Sequence, residues 1–378
     1  MPQAHGYIDS DGHVIEPADL WERYLDPEFR EEMPSHDLGY RGDPYAYINE
    51  CRVKGTSMPT FLAGKAAPMP GLREAYEEYQ EMGFSPAAYS LVLDRSKIDY
   101  MVVYPTAGLF MTAVPELSAE TAAAYRRAYN RWLGDFCGEC DGRVVGVASL
   151  DLRDPVEAAR EARRCVEAYG FKAATVAPDP VTRYPLFHPF HDPLWSTLQD
   201  LDIPIAFHAG AGTPLNVGVE HFFDWATGRG AAAFCMGNML ACMAMIGGGV
   251  LERFPRLRVA HLEVGCGWLP YWLDRMQSGI QGSNRAGSRF LPMEGLSLHP
   301  VEYFRRQCFV ACDPDDPHLA WVASEVGEEC LVTASDFGHP EGRGYLDAVR
   351  ETLELEGVSM ELKHKIMWDN PARLYALS

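Results

Sequence analysis

The chain has 378 residues, of which 47% are hydrophobic, and its 33 basic against 53 acidic side chains give a formal net charge of −20. The hydrophobic share is ordinary for a globular protein. The acidic balance argues against a nucleic-acid-binding surface, because phosphate binding needs clustered lysine and arginine. An anionic substrate would need a local cation, from a metal ion or an arginine, to overcome this background.

Hydropathy and cysteine usage predict a cytoplasmic protein. The longest apolar candidate, residues 231–250, is interrupted by Asn238 and four glycines and is too broken to span a membrane. Residues 1–6 show no basic stretch followed by an apolar run, so no secretory signal is predicted. The ten cysteines are scattered, which indicates reduced thiols. Cys137 and Cys140 have no second pair to complete a zinc site, and we interpret them as incidental.

Eight short strand-like runs recur along the chain, and most are followed by a helical pattern. They occupy residues 7–13, 98–104, 144–150, 171–177, 203–208, 257–263, 307–312 and 330–336. This alternation is typical of βαβ units, and eight of them fit a (β/α)8 TIM barrel. The alternative, a doubly wound sheet, lacks its Gly-x-Gly-x-x-Gly turn after the first run. We therefore predict a single α/β TIM-barrel domain over residues 1–378.

The connections between these runs differ in length. Pro155 opens a predicted helix over residues 155–169, and Gly170 follows where a helix-terminating glycine belongs. Residues 16–97 form a long insertion after the first strand, rich in aromatic residues. They form either a lid over the barrel mouth or a packed side layer. In the second long connection, residues 231–254 predict a helix rich in Met and Ala that packs against the core.

Polar side chains end four of the eight apolar runs. They are Asp11 and His13 in the first run, His208 in the fifth, His261 and Glu263 in the sixth, and Asp336 in the eighth. In a TIM barrel the carboxyl ends of all strands meet at one mouth, where catalytic groups lie. If the barrel closes, these residues converge.

Each polar residue also has a simpler interpretation. Asp11 and His13 are two apart and share one face of a strand, so they either bind one cation or bond to each other. His208 is followed by small residues that leave room for an ion, but a buried core histidine is the commoner case. Asp336 alone fits a helix cap. Together the two imidazoles and two carboxylates form a complete ligand set for one zinc, manganese or iron(II) ion.

Four segments carry a resemblance to a known family. They are IDSDGHVIEP at residues 8–17, the stretch at residues 249–276, TASDFGHP at residues 333–340 and WDNPARLYAL at residues 368–377. The sequence resembles the amidohydrolase-related family, which includes aminocarboxymuconate-semialdehyde, γ-resorcylate and carboxyvanillate decarboxylases. The resemblance implies a (β/α)8 fold and one zinc or manganese ion held by Asp11, His13, His208 and Asp336.

The resemblance also implies catalytic residues. The histidine that ends the sixth strand is His261, and the arginine of the LPYWLDR stretch is Arg275. The accompanying acid is Glu263, which lies two residues after the histidine where the family has three. Hydrolytic relatives bridge two metals with a fourth-strand lysine or glutamate. This sequence has Thr175, Val176, Ala177 and Pro178 there, which favours a single ion.

The favoured hypothesis is nonoxidative decarboxylation of an aromatic or conjugated small-molecule carboxylic acid. Asp336 would donate the proton through its unbound oxygen or a bound water, and His261, oriented by Glu263, would polarise that water or the substrate. A metal-dependent hydrolase of an amide, ester, lactone or C–C bond, a hydratase or cyclase, and a non-enzymatic binding protein remain alternatives. We also predict a homodimer, because barrels of this size often pair.

Several further residues are weaker candidates. His339 follows Asp336 closely and either reaches the mouth or caps a helix. Glu16 and Asp313 follow strand ends and are possible supporting groups. His221 and Phe222, after the fifth strand, are possible pocket residues.

Overall fold

Eight parallel strands in chain order form the centre of the computed structural model. The strands are β1 Ile8–His13, β2 Tyr100–Tyr104, β3 Val144–Ser149, β4 Ala173–Val176, β5 Ile205–His208, β6 Val259–Leu262, β7 Cys308–Cys312 and β8 Leu331–Thr333. Each pairs with the next in parallel. The structure describes residues 6–17, 19–32, 72–106, 108–111, 117–178, 182–208, 226–286, 295–339 and 341–377. The predicted (β/α)8 TIM barrel is confirmed.

Helices surround the strands. The α-helices are α1 Leu20–Tyr24, α2 Leu72–Glu81, α3 Pro86–Ser96, α4 Gly108–Met111, α5 Ala119–Gly138, α6 Pro155–Tyr169, α7 Asp192–Asp200, α8 Ala226–Gly247, α9 Val250–Arg253, α10 Leu269–Ala286, α11 Pro300–Gln307, α12 Leu319–Glu325, α13 Ala348–Glu354, α14 Met360–His364 and α15 Asn370–Tyr375. Short 3-10 helices lie at Pro27–Glu32, Pro189–His191, Glu328–Cys330 and Glu341–Asp347, and a π-helical turn at Lys365–Asp369. Within the described ranges no helix is long and apolar enough to cross a membrane.

Local sequence signals explain where two of these helices begin and end. Helix α6 has the predicted bounds: the Asp154 side chain accepts from two backbone N–H groups of the first turn, and Gly170 ends the helix at φ 69°. The helix predicted over residues 231–254 is instead two helices. Gly249 separates α8 from α9. Its φ of 76° is left-handed backbone, which interrupts a helix and which glycine adopts far more readily than residues with a side chain.

The first and last strands meet through backbone hydrogen bonds at the carboxyl end of the barrel. The N–H of Asp336 donates to the carbonyl of Asp11, and the N–H of His13 donates to the carbonyl of Phe337, both at 2.8 Å. These bonds join β1 to the segment after β8. They place Asp11, His13 and Asp336 side by side although they come from opposite ends of the chain.

Two side chains of the C-terminal helix α15 contribute to the barrel interior. Leu374 and Tyr375 belong to the same buried cluster as the inward-facing residues of the strands, several of which are alanines, such as Ala173, Ala206 and Ala260. Small side chains at these positions leave the volume that the tyrosine ring occupies. The Tyr375 hydroxyl donates to the carbonyl of Ser10 at 2.8 Å and lies 3.0 Å from the Tyr104 hydroxyl.

We expect Tyr375→Ala to destabilise the fold strongly, by about 3–5 kcal/mol, because it opens a cavity inside the barrel. Tyr375→Phe should cost only about 1–3 kcal/mol, since it removes the hydrogen bonds but keeps the ring. Urea unfolding followed by circular dichroism measures both. Met360→Ala, at a residue whose side chain is half exposed, is the surface control. Equal losses for Tyr375→Ala and Met360→Ala would contradict this account.

Candidate metal centre

Three fully buried side chains form the floor of the barrel mouth. Asp11 and His13 come from β1, and His208 is the last residue of β5. The β1–β2 pairing shifts register between Asp9 and Gly12. A Cβ atom at Gly12 would stand 2.7 Å from the Met101 side chain, so glycine is needed where β1 approaches β2.

The ligand atoms of four predicted residues point at one another. The Nε2 atoms of His13 and His208 are 3.0 Å apart. Asp11 Oδ1 lies 3.3 Å from His208 Nε2 and 3.7 Å from His13 Nε2. Asp336 Oδ1 lies 3.3 Å from His13 Nε2. The structure therefore brings together Asp11, His13, His208 and Asp336.

These separations fit a single ion. Two ligand atoms each ~2.1 Å from a metal, at ~90–110° to one another, are themselves ~3.0–3.4 Å apart. Three of the four measured distances lie in that range. Asp11 Oδ1 and both carboxylate oxygens of Asp336 are buried and accept no hydrogen bond within the described part of the chain. Buried carboxylate oxygens of this kind are what a cation would satisfy.

The protonation states of the floor residues also suit a cation. His13 Nδ1 lies 3.0 Å from the carbonyl of Pro105, so Nδ1 carries the proton and the Nε2 lone pair faces the cluster. Burial, with His339 and His208 nearby, holds the pKa of His13 well below its ordinary value. Burial raises the pKa of Asp11. A neutral imidazole is the form that binds metal. A cation would offset the free-energy cost of burying the ionised carboxylate of Asp11.

Three partly exposed groups form a rim above this floor. Asp336, Glu263 and His339 have side-chain exposures of 13, 15 and 12%. Glu263 Oε2 lies 3.5 Å from His208 Nε2, and His339 Nδ1 lies 3.0 Å from Asp336 Oδ1. The His339 ring stacks on His13 at 3.6 Å between centroids. Glu263 and His339 therefore border the opening of the mouth, and the carboxylate oxygens of Asp336 lie buried beneath them.

Both rim carboxylates sit on unusual backbone. Glu263 has φ 55° and Asp336 has φ 52°, in the left-handed region that non-glycine residues rarely adopt. Such strain persists only where the surroundings hold it, and it concentrates at functional sites. At Asp336 the support is visible: Asp9 accepts hydrogen bonds from the backbone and hydroxyl of Ser335, and the Ser335 hydroxyl accepts from the N–H of Phe337.

Helices from the 16–97 insertion hold the backbone of the site. The Tyr89 hydroxyl on α3 donates to the carbonyl of His13 at 2.6 Å. The Tyr76 hydroxyl on α2 donates to the carbonyl of His339 at 3.1 Å and accepts from the N–H of Gly338 at 3.3 Å. This part of the insertion is a packed side layer that supports the mouth. Residues 33–71, the rest of the predicted lid, lie outside the described residues.

The structure places His261 away from the mouth. Its partner in register on β5 is Phe207, and its ring packs against Phe207, Phe304 and Trp268 in the layer between strands and helices. His261 Nδ1 lies 3.1 Å from the Asn238 side-chain oxygen on α8. Burial lowers the pKa of His261 to about 3. Asn238, not Glu263, therefore orients this histidine.

Arg275 is not brought to the cluster either. It lies on α10, and its side chain is exposed. At the end of β4, the Thr175 hydroxyl donates to the carbonyl of Ala206, and the described residues there offer no lysine or glutamate to bridge a second metal.

The structure distinguishes the weaker candidates by their positions relative to the mouth. His339 reaches the mouth and contacts Asp336. Glu16 is buried and accepts from the N–H groups of Thr106 and Gly108, which is a structural role. His221 and Phe222 lie outside the described residues. The sequence signal for His339 was its position three residues after Asp336, which did not distinguish the mouth from a helix cap.

A parallel (β/α)8 barrel that gathers imidazoles and carboxylates at its C-terminal mouth defines a TIM-barrel protein with a candidate mononuclear metal centre. The chain belongs to the amidohydrolase family, whose model matches residues 8–377.

Similar proteins span most of the chain. The γ-resorcylate decarboxylase of Polaromonas sp. strain JS666 is 24% identical over 294 residues, covering 76% of this chain and 86% of that protein. The crystal structure of an amidohydrolase from Mycobacterium avium subsp. paratuberculosis K-10 has a TM-score of 0.75, with 24% identity, covering 98% of this chain and 99% of the other. A 5-carboxyvanillate decarboxylase from Novosphingobium aromaticivorans, complexed with manganese and 4-hydroxy-3-methoxy-5-nitrobenzoic acid, has a TM-score of 0.72 at 20% identity, covering 100% of this chain and 97% of the other.

Proposed function

We propose that the protein is a metal-dependent nonoxidative decarboxylase of a small aromatic or conjugated carboxylic acid. The observation that carries this proposal is the close approach of the ligand atoms of Asp11, His13 and His208, with the Asp336 carboxylate beside His13. The similarity to γ-resorcylate decarboxylase supports it, as does the benzoic acid bound with manganese in the 5-carboxyvanillate enzyme.

The four ligands would hold one divalent ion, and we propose manganese. Nitrogen and oxygen donors without thiolates suit manganese and zinc, and the 5-carboxyvanillate decarboxylase was complexed with manganese. When bound, the ion supplies positive charge to the substrate carboxylate and a neighbouring oxygen in an otherwise acidic protein. The residues around it then need only orient the substrate and move protons.

Two rim carboxyl groups match the two proton transfers of this reaction. Through a carboxylate oxygen that does not hold the ion, Asp336 would donate a proton to the carbon that bears the substrate carboxylate; the new C–H bond forms, the C–C bond breaks and carbon dioxide leaves. A proton from solvent then restores Asp336. Glu263 would accept the proton of the neighbouring substrate hydroxyl and return it afterwards. His339, 3.0 Å from Asp336 Oδ1 and 4.0 Å from Glu263 Oε1, links the two carboxyl groups. His261 and Arg275 have no part in this proposal.

We also propose that the protein is a cytoplasmic homodimer. The nine described cysteines are all free, which fits a reducing compartment. The dimer rests on the usual behaviour of barrels of this size, and light scattering of the purified protein measures it.

The decisive test is turnover by manganese-loaded protein in ¹⁸O-labelled water. We expect one carbon dioxide per substrate consumed from a panel that includes 2,6-dihydroxybenzoate and 5-carboxyvanillate, with no ¹⁸O in the organic product. Incorporation of ¹⁸O without carbon dioxide release would establish hydrolysis and overturn the proposal. No turnover of any aromatic or conjugated acid by metal-loaded protein would also count against it.

A further inference from the structure

A second group of metal-ligating side chains lies in the loops that follow β6 and β7. Cys266, Cys312 and Asp316 are buried, and their sulfur atoms and a carboxylate oxygen lie within 4.8 Å of one another. None of the three belongs to the candidate metal centre or to the proposed reaction. Two thiols beside a buried carboxylate are a donor set quite different from the imidazoles and carboxylates of the mouth.

The carboxylate of Asp316 is already oriented towards the thiols. Its Oδ2 atom accepts from the N–H of Cys266 at 3.1 Å and lies 3.3 Å from the Cys266 sulfur. Its Oδ1 atom accepts from the N–H of His318 at 2.8 Å. Hydrogen bonds of this kind, from backbone groups to a carboxylate ligand, fix its direction and reduce the cost of binding an ion.

The turn that carries Cys266 leaves room for a fourth ligand. Gly265 has φ 59°, and Gly267 follows the cysteine. A Cβ atom at Gly267 would stand 3.0 Å from the ring of His318, which lies over this turn. His318 Nδ1 is 3.4 Å from Asp316 Oδ1, and its side chain is 59% exposed. The imidazole therefore lies beside the cluster carboxylate and reaches the protein surface.

We propose that Cys266, Cys312, Asp316 and His318 form a second cation site, specific for a thiophilic divalent ion such as Zn²⁺. Tetrahedral zinc with ~2.3 Å bonds to sulfur and ~2.1 Å bonds to oxygen places its ligand atoms ~3.6–3.8 Å apart. The ligand atoms of Cys266, Cys312 and Asp316 already lie within 4.8 Å of one another and need only small movements to reach that geometry, and the exposed His318 side chain would turn to complete it. On binding, two S–H bonds break and two metal–sulfur bonds form, and the two protons pass to solvent.

Such a site would tie together two loops at the barrel mouth. Cys266 lies three residues after Glu263, and Cys312 is the last residue of β7. An ion bridging them would fix the turn after β6 to the loop after β7. Its role is structural and does not depend on whether the proposed decarboxylation is correct.

Cobalt(II) is the probe that tests this site, because thiolate-bound cobalt has an intense near-ultraviolet charge-transfer absorption that imidazole and carboxylate ligands do not produce. The full chain, treated with chelator and kept reduced, is titrated with Co²⁺. We expect the absorbance of this band to rise until one equivalent of Co²⁺ is bound at the site, and to disappear when Zn²⁺ is added. His208→Ala should keep it, since that substitution alters only the candidate metal centre.

Substitutions then assign the band to residues. Cys266→Ser and Cys312→Ser should each lower its intensity at least twofold, and the double variant should lose it. Cys165→Ser is the matched control, because Cys165 is a buried thiol 3.4 Å from the carboxylate of Glu161 but outside the cluster. The proposal fails if the wild-type chain shows no band, or if the folded double variant retains it. If the cysteine variants do not fold, two measurements still test the proposal. They are the wild-type titration and the titration of folded Asp316→Asn, which we expect to bind cobalt at least tenfold more weakly.

Discussion

His208→Ala is expected to abolish manganese binding and decarboxylation together. His208 Nε2 lies within 3.5 Å of His13, Asp11 and Glu263, so its removal opens the floor of the mouth. Loss of a residue that merely orients a ligand typically weakens metal affinity about 10–100-fold, so loss of a ligand should exceed about 100-fold. Manganese bound after dialysis, and kcat/KM at fixed manganese, measure the two effects. Manganese is the ion to use in this test because it binds thiolates poorly, so bound manganese reports on the candidate metal centre and not on the proposed cysteine site.

His191→Ala is the matched control for this substitution. His191 is also a buried histidine, but it ends the 3-10 helix Pro189–His191 before α7, where its Nε2 lies 3.2 Å from the carbonyl of Tyr184. We expect it to keep full manganese stoichiometry even if its stability falls. A folded His208→Ala protein with wild-type manganese affinity would contradict the assignment of the metal centre.

Glu263→Gln and His261→Phe should have opposite consequences, although the sequence predicts both residues to be catalytic. Glu263→Gln keeps the side-chain shape but removes the proton acceptor, so kcat should fall about 10²–10⁴-fold with manganese binding retained. His261→Phe places an aromatic ring among Phe207, Phe304 and Trp268, so kcat should change less than about tenfold. Steady-state kinetics with manganese in excess measures both.

Stability distinguishes the role of His261 from that of a catalytic group. His261→Phe leaves the buried Asn238 side chain without its partner, which should cost about 1–3 kcal/mol in urea unfolding. Glu263→Gln, at a partly exposed position, should cost less. If His261→Phe lost activity as severely as Glu263→Gln while keeping its stability, His261 would belong to the catalytic site after all.

The barrel and the floor of its mouth were predictable from the sequence. Short apolar runs predict the strands, and several of these runs end in Asp or His. Parallel strands bring their carboxyl ends, and with them these polar residues, to one edge of the barrel. His208 lies two residues after the inward-facing Ala206, as alternation predicts. Ile8 also belongs to the interior cluster, so Asp11 and His13 face the mouth only because the register of β1 shifts between Asp9 and Gly12. Several predicted strands were longer than the observed strands, because apolar residues continue into the connecting loops.

The rim was not predictable in the same way. His261 and Glu263 are two apart, so alternation alone places them on one face. The pairing of His261 with the outward Phe207 and the left-handed backbone at Glu263 separate them. Backbone of this kind arises from tertiary contacts and leaves no periodic signal. Asn238, Tyr76 and Tyr89 act through hydrogen bonds from distant elements, which spacing does not reveal.

The meeting of β1 with the segment after β8 has a consequence for biosynthesis. Asp11 and Asp336 are 325 positions apart in the sequence (336 − 11), so a nascent chain cannot assemble the full ligand set until Asp336 has left the ribosome. The loop that must close spans these 325 positions, and its entropic cost opposes the closing step. An ion that binds only the closed ring would favour that step by about 2.7 kcal/mol at a hundredfold excess over its Kd. Metal supply would then govern the yield of finished protein as well as its activity.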